Sequence, residues 1–290
     1  MDPAVENAVA YMRERFGDPL TVTDIARKAW LSRFHFSRVF KEETGVSPGR
    51  FLAAVRIHEA KRLIGGTSMT IAEISAAVGY TSLGSFTHAF TAGVGLSPGR
   101  FRRLCRGEGQ GLPPPRPAGP RSRHGSVAGT VRLPQGHGNA RVYLGAFATA
   151  VVQYPALASA VVDVPCDRPS CYVLPEVPEG SWHLLAVAVA VAAGTGHDPQ
   201  AVRSALVGDR GTTAVTVTAG AVTSAAVRLR LAHPADPPVL LALPELEPPA
   251  TVVPHPGCAA APPGPLPAGR DRPAPRLWLL PGASAPSPGA

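Results

Sequence analysis

The sequence Gly45-Val-Ser-Pro-Gly-Arg-Phe51 occurs a second time, with one substitution, as Gly95-Leu-Ser-Pro-Gly-Arg-Phe101. The similarity extends upstream, where Phe36-Ser-Arg-Val-Phe40 corresponds to Phe86-Thr-His-Ala-Phe90. In each of these upstream segments the two phenylalanines are four residues apart, so they share one face of a helix. A repeat that keeps both the apolar spacing and the following turn indicates two copies of one small helical unit in the first third of the chain.

Helix-start signals occur at the same place in both copies. Thr21 precedes Asp24 by three residues, and Thr70 precedes Glu73 by three residues. In this arrangement the hydroxyl and the carboxylate accept hydrogen bonds from backbone amides that have no partner within the helix. The copies are 49 residues apart here and 50 apart at the phenylalanines, which indicates one inserted residue near Gly84. We therefore expect a short capped helix at the start of each copy.

A second helix follows in each copy, and a longer helix connects the copies. The second helix is expected to begin at Ser32 in the first copy and at Thr81 or Ser82 in the second. The connecting helix is predicted over residues 48–64, with Ser47 as its cap and a proline in its first turn. Its basic side, which faces either DNA or solvent, is formed by Arg56, His58, Lys61 and Arg62.

The formal net charge of +8 is concentrated in the front of the chain. Residues 1–103 contain 14 Lys and Arg against 9 Asp and Glu, and residues 104–125 contain 4 against 1. Residues 126–290 contain 10 against 10. This distribution favours a polyanion such as nucleic acid as the partner of the front region, and a different role for the rear.

Cysteine content and hydropathy indicate the cellular compartment of the protein. Cys105, Cys166, Cys171 and Cys258 are too few and too scattered for a disulfide scaffold, and we expect them to be reduced. The N-terminal sequence lacks the features of a signal peptide. The most apolar stretch, residues 184–193, is far shorter than the roughly 20 residues that span a bilayer. These observations favour a cytoplasmic protein that has no membrane segment.

Residues 4–104 resemble the DNA-binding domain of AraC/XylS-type transcriptional regulators. The segments that carry the resemblance are Ile25-Ala26, Phe36-Ser-Arg-Val-Phe-Lys41, Gly45-Val-Ser-Pro-Gly-Arg-Phe51, Ile74, Gly79-Tyr80 and Ser97-Pro-Gly-Arg-Phe-Arg102. The resemblance implies seven helices that form two helix-turn-helix units bridged by a long helix. The second helix of each unit is then expected in the major groove, on successive turns of one DNA face. Double-stranded DNA and RNA polymerase are the implied partners.

The resemblance also assigns residues to the DNA interface. Carried over by position, base contacts fall on Phe34, Ser37 and Arg38 in the first unit and on Leu83, Gly84 and His88 in the second. The wider expected interface consists of Arg33, Phe34, His35, Ser37, Arg38, Lys41, Arg50, Leu83, Gly84, Ser85, Thr87, His88, Arg100, Arg102 and Arg103. Arg38 is a bidentate donor suited to guanine, whereas Leu83 and Gly84 lack polar side chains. We therefore expect the first unit to supply most of the sequence discrimination.

The rear of the chain has the pattern of a β protein. Short runs rich in Val, Thr and aromatic residues predict seven strands, over residues 126–133, 141–147, 160–164, 171–174, 181–191, 214–218 and 222–231. Seven short strands separated by turn residues are typical of an antiparallel β-sandwich. The strand, turn and strand over residues 171–186 resemble the transthyretin-like or carboxypeptidase-regulatory sandwich.

The predicted fold class is therefore α followed by β in two domains. A seven-helix double helix-turn-helix domain is expected over residues 1–105, and a Pro- and Arg-rich linker over residues 106–125. An antiparallel β-sandwich accessory domain is expected over residues 126–232. A Pro- and Ala-rich tail over residues 233–290 is expected to be disordered.

The leading hypothesis is a sequence-specific transcriptional regulator, not an enzyme, whose rear domain senses an unidentified small-molecule effector, dimerises or binds a partner. One alternative is a DNA-targeted alkyltransferase with Cys105 as nucleophile, because some proteins fuse this DNA-binding domain to such an enzyme. A second alternative is a protein- or glycan-binding module that the DNA-binding domain tethers. No cofactor is expected. Cys166, Cys171 and His183 have two interpretations, a zinc site or two ordinary thiols beside a histidine. Residues 192–199 contain too few carboxylates to form a calcium site.

Overall fold

The computed structural model describes residues 2–108, 123–192, 203–208, 214–243 and 246. Seven helices come first, as the sequence predicts. They are α1 (Pro3–Glu14), α2 (Val22–Lys28), α3 (Arg33–Thr44), α4 (Pro48–Gly66), α5 (Ile71–Ala77), α6 (Leu83–Val94) and α7 (Pro98–Cys105). Among the residues so described, no helix combines the length and the hydropathy that a transmembrane span requires.

Side-chain caps begin the short helices of both repeat copies. The Thr21 hydroxyl accepts a hydrogen bond from the Asp24 amide, and the Asp24 carboxylate accepts one from the Thr21 amide at 3.1 Å. Thr70 and Glu73 form the same pair of bonds, with the Thr70 amide 2.7 Å from the Glu73 carboxylate. Both predicted capping boxes are therefore confirmed, and each satisfies amides that would otherwise lack partners at a helix start.

The inserted residue lies in the second turn and not near Gly84. The caps Thr21 and Thr70 are 49 residues apart, whereas Ser32 and Ser82, which cap α3 and α6, are 50 apart. The extra residue is thus between α5 and the Ser82 cap, where a turn accepts it without changing either helix. The connecting helix α4 also differs slightly from expectation, because Ser47 makes no side-chain capping bond there.

Three buried phenylalanines hold each unit together and account for the repeated sequence. They are Phe36, Phe40 and Phe51 in the first unit, and Phe86, Phe90 and Phe101 in the second. The ring centroids of Phe40 and Phe51 are 5.4 Å apart in an edge-on arrangement, and those of Phe90 and Phe101 are 5.6 Å apart. The phenylalanine that ends each Ser-Pro-Gly-Arg-Phe segment therefore packs its own helix against the preceding one, α4 against α3 and α7 against α6.

Nine strands form the rear of the described chain. They are β1 (His124–Arg132), β2 (His137–Phe147), β3 (Ala158–Val164), β4 (Ser170–Pro178), β5 (Gly180–Ala192), β6 (Arg203–Gly208), β7 (Ala214–Val217), β8 (Val222–Ser224) and β9 (Val227–Leu231). All seven predicted strand regions contain strand. The region 222–231 is divided between β8 and β9, because the chain turns at Ala225, whose amide donates to the Ala128 carbonyl at 2.9 Å. Strand β6 was not predicted.

The strands make one curled sheet in the order β3-β2-β5-β6-β9-β1-β4, with β7 beside β5 and β8 beside β1. The Ser170 hydroxyl donates to the Asp163 carbonyl at 2.9 Å, which joins β4 to β3 and brings the two ends of the strand path together. The β region is therefore nearly barrel-shaped around its own apolar core. Most pairs are antiparallel as expected, but β1 runs parallel to both β8 and β9.

Residues 233–243 pack between the helical domain and the β region. The expectation that the tail is disordered from His233 onward is therefore wrong for this segment. Leu240, Leu241 and Ala242 are buried. The Leu240 amide donates to the Val152 carbonyl at 2.9 Å. These short apolar runs fold because they cover faces of the helical domain and of the sheet. Most of the remaining tail, and of the predicted linker, lies outside the described residues.

The helical domain and the β region are in direct contact. The Tyr154 amide donates to the Gly93 carbonyl at 2.8 Å, and the Ala242 amide donates to the Val94 carbonyl at 3.3 Å. Val151 belongs to the same apolar core as the helices. The β region therefore packs against the end of α6.

Candidate nucleic-acid interface

The first recognition helix, α3, presents a continuous exposed surface near its N-terminus. Ser32 caps the helix by accepting a hydrogen bond from the His35 amide. Since Phe36 and Phe40 occupy the buried face, the side chains of Arg33, Phe34, His35, Arg38 and Lys41 face solvent. The side chain of Phe34 is 87% exposed, so it contributes little to the packing of the domain. Exposed cations and an aromatic ring are groups that contact phosphates and bases.

Two of the α3 side chains already have polar contacts. The Ser37 hydroxyl donates to the Arg33 carbonyl at 2.8 Å, so its hydrogen-bond donor is already used within the helix. The Arg38 guanidinium lies 3.4 Å from the Glu42 carboxylate, and both side chains are more than half exposed. An exposed pair of this kind contributes little stability, so Arg38 exchanges readily to another acceptor.

The second recognition helix, α6, has the same frame and a less polar surface. Ser82 caps it by accepting a hydrogen bond from the Ser85 amide at 3.2 Å. Leu83 is 48% exposed, and Gly84 and His88 are also exposed. Thr87 is half-buried. The α6 surface therefore offers apolar contact and few donors, in contrast to α3.

The three arginines predicted after the second copy separate into two groups. Arg100 and Arg103 are exposed, as is Arg50 at the equivalent place in the first copy. Arg102 is half-buried, and its guanidinium donates to the Met69 carbonyl at 2.5 Å. The first group is free to contact phosphate, whereas Arg102 holds the loop before α5.

The basic side of α4 turns inward, so its assignment to DNA or to solvent is wrong for most of its residues. Arg56 donates to the carbonyl groups of Phe16 at 2.8 Å and Asp18 at 2.7 Å. His58 and Lys61 are half-buried beneath residues 233–243. A segment that comes from the far end of the β region causes this burial, and the local sequence of α4 contains no signal for it.

Trp30, which was not among the predicted interface residues, adds a second exposed aromatic ring beside α3. It is 93% exposed and its φ is 58°, in the left-handed region. Gly79 occupies the equivalent turn position in the second copy with a φ of 81°. A bulky residue at a position that favours glycine is unfavourable for folding, so its presence here points to a role at the surface. The sequence signal that could have identified Trp30 is that the second copy has a glycine, Gly79, at the equivalent turn position.

The helical region is similar to known regulators of transcription. A family profile described as a helix-turn-helix domain matches residues 25–104. The HTH-type transcriptional regulator YfiF of Bacillus subtilis is 37% identical over 96 residues, which is 33% of this chain and 30% of that protein. The Msm operon regulatory protein of Streptococcus mutans is 34% identical over 92 residues, 32% of this chain and 33% of that protein. The chain therefore spans about a third of the length of these relatives.

Two solved structures are similar in sequence to about a third of this chain. The C-terminal domain of AraT, a response regulator from Geobacillus stearothermophilus, is 33% identical and has a TM-score of 0.35, covering 35% of this chain and 85% of that chain. The DNA-binding domain of AdpA, determined with a target DNA, is 29% identical with a TM-score of 0.35, covering 37% and 95%. Residues 25–104 form a helix-turn-helix domain.

The other sites considered from the sequence involve cysteine. In the described ranges no group of three metal-ligating side chains is close enough to hold an ion. Cys171 forms a disulfide, so the expectation of reduced cysteines is wrong for this residue, while Cys105 and Cys166 are free thiols. Burial raises the pKa of the Cys105 thiol to about 11, although Lys61 and Arg102 oppose the shift.

Proposed function

We propose that the protein is a sequence-specific regulator of transcription that binds double-stranded DNA through both helix-turn-helix units. The observation that carries this proposal is the pair of capped recognition helices, α3 and α6, whose N-terminal side chains are exposed while their phenylalanines are buried. This is the geometry in which a recognition helix lies in the major groove. The proposed compartment is the cytoplasm, where such a regulator also meets RNA polymerase.

The two units contribute differently in this proposal. The α3 surface supplies Arg38, which can donate two hydrogen bonds to guanine, together with the aromatic rings of Trp30 and Phe34 for contact with thymine methyl groups or sugars. The α6 surface supplies Leu83 and His88. We therefore assign most of the base discrimination to the first unit, and phosphate and apolar contacts to the second.

The β region is proposed to regulate the DNA-binding domain. It contacts the C-terminal ends of both recognition helices, through Ala150 beside Gly45, which caps α3, and through the hydrogen bond from Tyr154 to Gly93 of α6. These ends are opposite the exposed N-terminal surfaces. A change in how the β region packs therefore alters the position of one unit relative to the other without blocking DNA.

An enzymatic function is not supported by the chemistry of Cys105. Alkyl transfer requires a thiolate, and an ordinary thiol already has a pKa near 8.5. With its pKa raised to about 11, the half-buried Cys105 is overwhelmingly protonated at neutral pH. The regulator is accordingly the function that the site supports best.

Selection from a random double-stranded DNA library tests the proposal. The full-length chain should enrich one motif, and the Arg38→Ala variant should lose preference at one position of that motif. Arg228→Ala is the matched control, because Arg228 is exposed on β9 in the other region of the protein. Failure of the full-length chain to enrich any motif, while it still binds DNA nonspecifically, would contradict the proposal.

A further inference from the structure

A cavity of about 360 Å³ lies between the helical domain and the β region. One wall comes from α1 and α4, the opposite wall comes from β5 and β6, and residues 232–243 lie along its edge. Binding sites for small molecules typically measure about 300–1,000 Å³. The cavity therefore has room for a small organic molecule.

The wall formed by β5 and β6 is apolar because side chains alternate along a strand. Leu206 points into the core of the β region, so Ala205 and Val207 point to the other face, towards the helical domain. Val187 and Val189 of β5 lie on the same outer face. This wall suits a hydrocarbon or aromatic body.

The wall formed by α4 carries the buried amine of Lys61. Its Nζ donates to the Leu241 carbonyl at 2.8 Å and to the Val239 carbonyl at 3.2 Å. A lysine ammonium has three N–H donors. Besides the two carbonyls, the described chain places the face of the Phe101 ring 5.8 Å from Nζ, and no described carboxylate pairs with it. Burial lowers the pKa of Lys61 to about 7, because the ammonium lacks a counter-charge.

Arg13 and His58 line the cavity beside Lys61. The Arg13 guanidinium donates to the Pro234 carbonyl at 2.7 Å, and the carboxylates of Glu59 and Asp236 partly balance its charge. The ring of His58 is half-buried and neutral, because burial lowers its pKa to about 4, and it hydrogen-bonds to the Val239 carbonyl. Its Nδ1, which has no partner among the described residues, is therefore an acceptor and not a donor. The carboxylate at the edge of the cavity, Asp236, is already paired with Arg230 at 2.6 Å. Lys61 is therefore the group on this wall that lacks a carboxylate partner among the described residues.

We propose that this interdomain cavity binds a small organic monoanion, with its apolar body against β5 and β6 and its carboxylate or equivalent group at Lys61. The anion accepts the third N–H of Lys61 and supplies the missing counter-charge. Hydrogen bonds between charged partners are roughly twice as strong as neutral ones, so the site prefers an acid to its neutral amide. That this ligand is the effector of a transcription regulator rests on the function proposed above.

The position of Lys61 connects the cavity to the second helix-turn-helix unit. Leu240 lies between the two residues whose carbonyls Lys61 binds, and it packs against Gly93 of α6. The next residue but one, Ala242, donates to the Val94 carbonyl at 3.3 Å. A ligand that binds Lys61 therefore acts on the segment that holds the end of α6.

Calorimetric titration of the full-length protein tests the proposal without DNA. The probes are octanoate and 4-phenylbutanoate, each compared with its neutral amide at pH 6.5. We expect at least one acid to bind at least about tenfold more tightly than its amide. If neither acid binds, or if both acids bind no better than their amides, the proposal is overturned.

Three variants assign the binding to the cavity. Lys61→Met should remove the preference for the acid, whereas Lys28→Met, which changes an exposed lysine, should keep it. Ala205→Leu should weaken the binding of both acid and amide, because its side chain fills the cavity, and circular dichroism checks that each variant is folded. An acid preference that survives in a folded Lys61→Met protein contradicts the proposal. A failed DNA selection with intact acid binding would instead contradict only the proposed function.

Discussion

Replacing Lys61 with methionine should change how the stability of the protein depends on pH. Burial lowers the pKa of this lysine from 10.5 to about 7, so between these values the unfolded chain binds a proton that the folded protein does not. Stability therefore rises with pH across this window, with a slope that approaches about 1.4 kcal/mol per pH unit. From pH 7 to pH 9 the free energy of unfolding should rise by roughly 2 kcal/mol in the original protein.

The charged and titratable groups that face Lys61 set the limits of this experiment. They are Arg13 of α1, His58 and Glu59 of α4, and Cys105 of α7. Burial lowers the pKa of His58 to about 4, so it does not titrate above pH 7 in the folded protein. The pKa of Cys105 is raised to about 11, which lowers stability above pH 9, so measurements stop there.

The assay is urea unfolding followed by circular dichroism at pH 7, 8 and 9. We expect the rise in stability for the original protein and for Lys28→Met, and a much flatter profile for Lys61→Met. The methionine also leaves the carbonyls of Val239 and Leu241 without their donor, which lowers stability at all three pH values by about 1–3 kcal/mol and leaves the slope unaffected. An equal rise in the Lys61→Met variant would refute the argument from burial.

Three further predictions concern the DNA-binding domain. Arg38→Ala should reduce discrimination at one base pair by about 1–3 kcal/mol in competition titrations and His88→Ala by clearly less; equal losses would contradict the assignment of unequal units. Trp30→Gly should raise the free energy of unfolding by up to about 1 kcal/mol in thermal unfolding while weakening DNA binding, and unchanged DNA affinity would remove the surface role of this residue. Thr70→Ala should lower the free energy of unfolding by about 1 kcal/mol, measured with urea, and an unchanged midpoint would show that the cap contributes nothing.

The helical domain was predictable because its signals are local. The capping boxes at Thr21 and Thr70 depend on residues three positions apart, and the buried faces depend on phenylalanines four positions apart. The position of the inserted residue was less certain, because the sequence does not show whether a turn or a helix absorbs it, and the inward contacts of Arg56 and Lys61 on α4 were missed because their partners are distant in the chain. The exposed positions on α3 and α6 likewise follow from the buried face of each helix.

The cavity was not predictable, because it depends on contacts between segments far apart in the chain. Lys61 has the appearance of a surface lysine within α4, and it becomes buried only when residues 239 and 241 pack over it. The Val- and Leu-rich run at residues 239–243 was interpreted as part of a disordered tail, since its length is too small for a core of its own. It folds by covering faces that two other regions provide.

The central claim, that this protein is a sequence-specific regulator, is tested most directly by mapping where the tagged full-length protein binds across the genome. We expect enrichment at discrete promoter-proximal sites that share one motif. The Arg38→Ala variant should lose most of these sites, whereas Arg228→Ala should keep them. Binding spread along the genome with no discrete sites, for a protein that is expressed and folded, would contradict the claim.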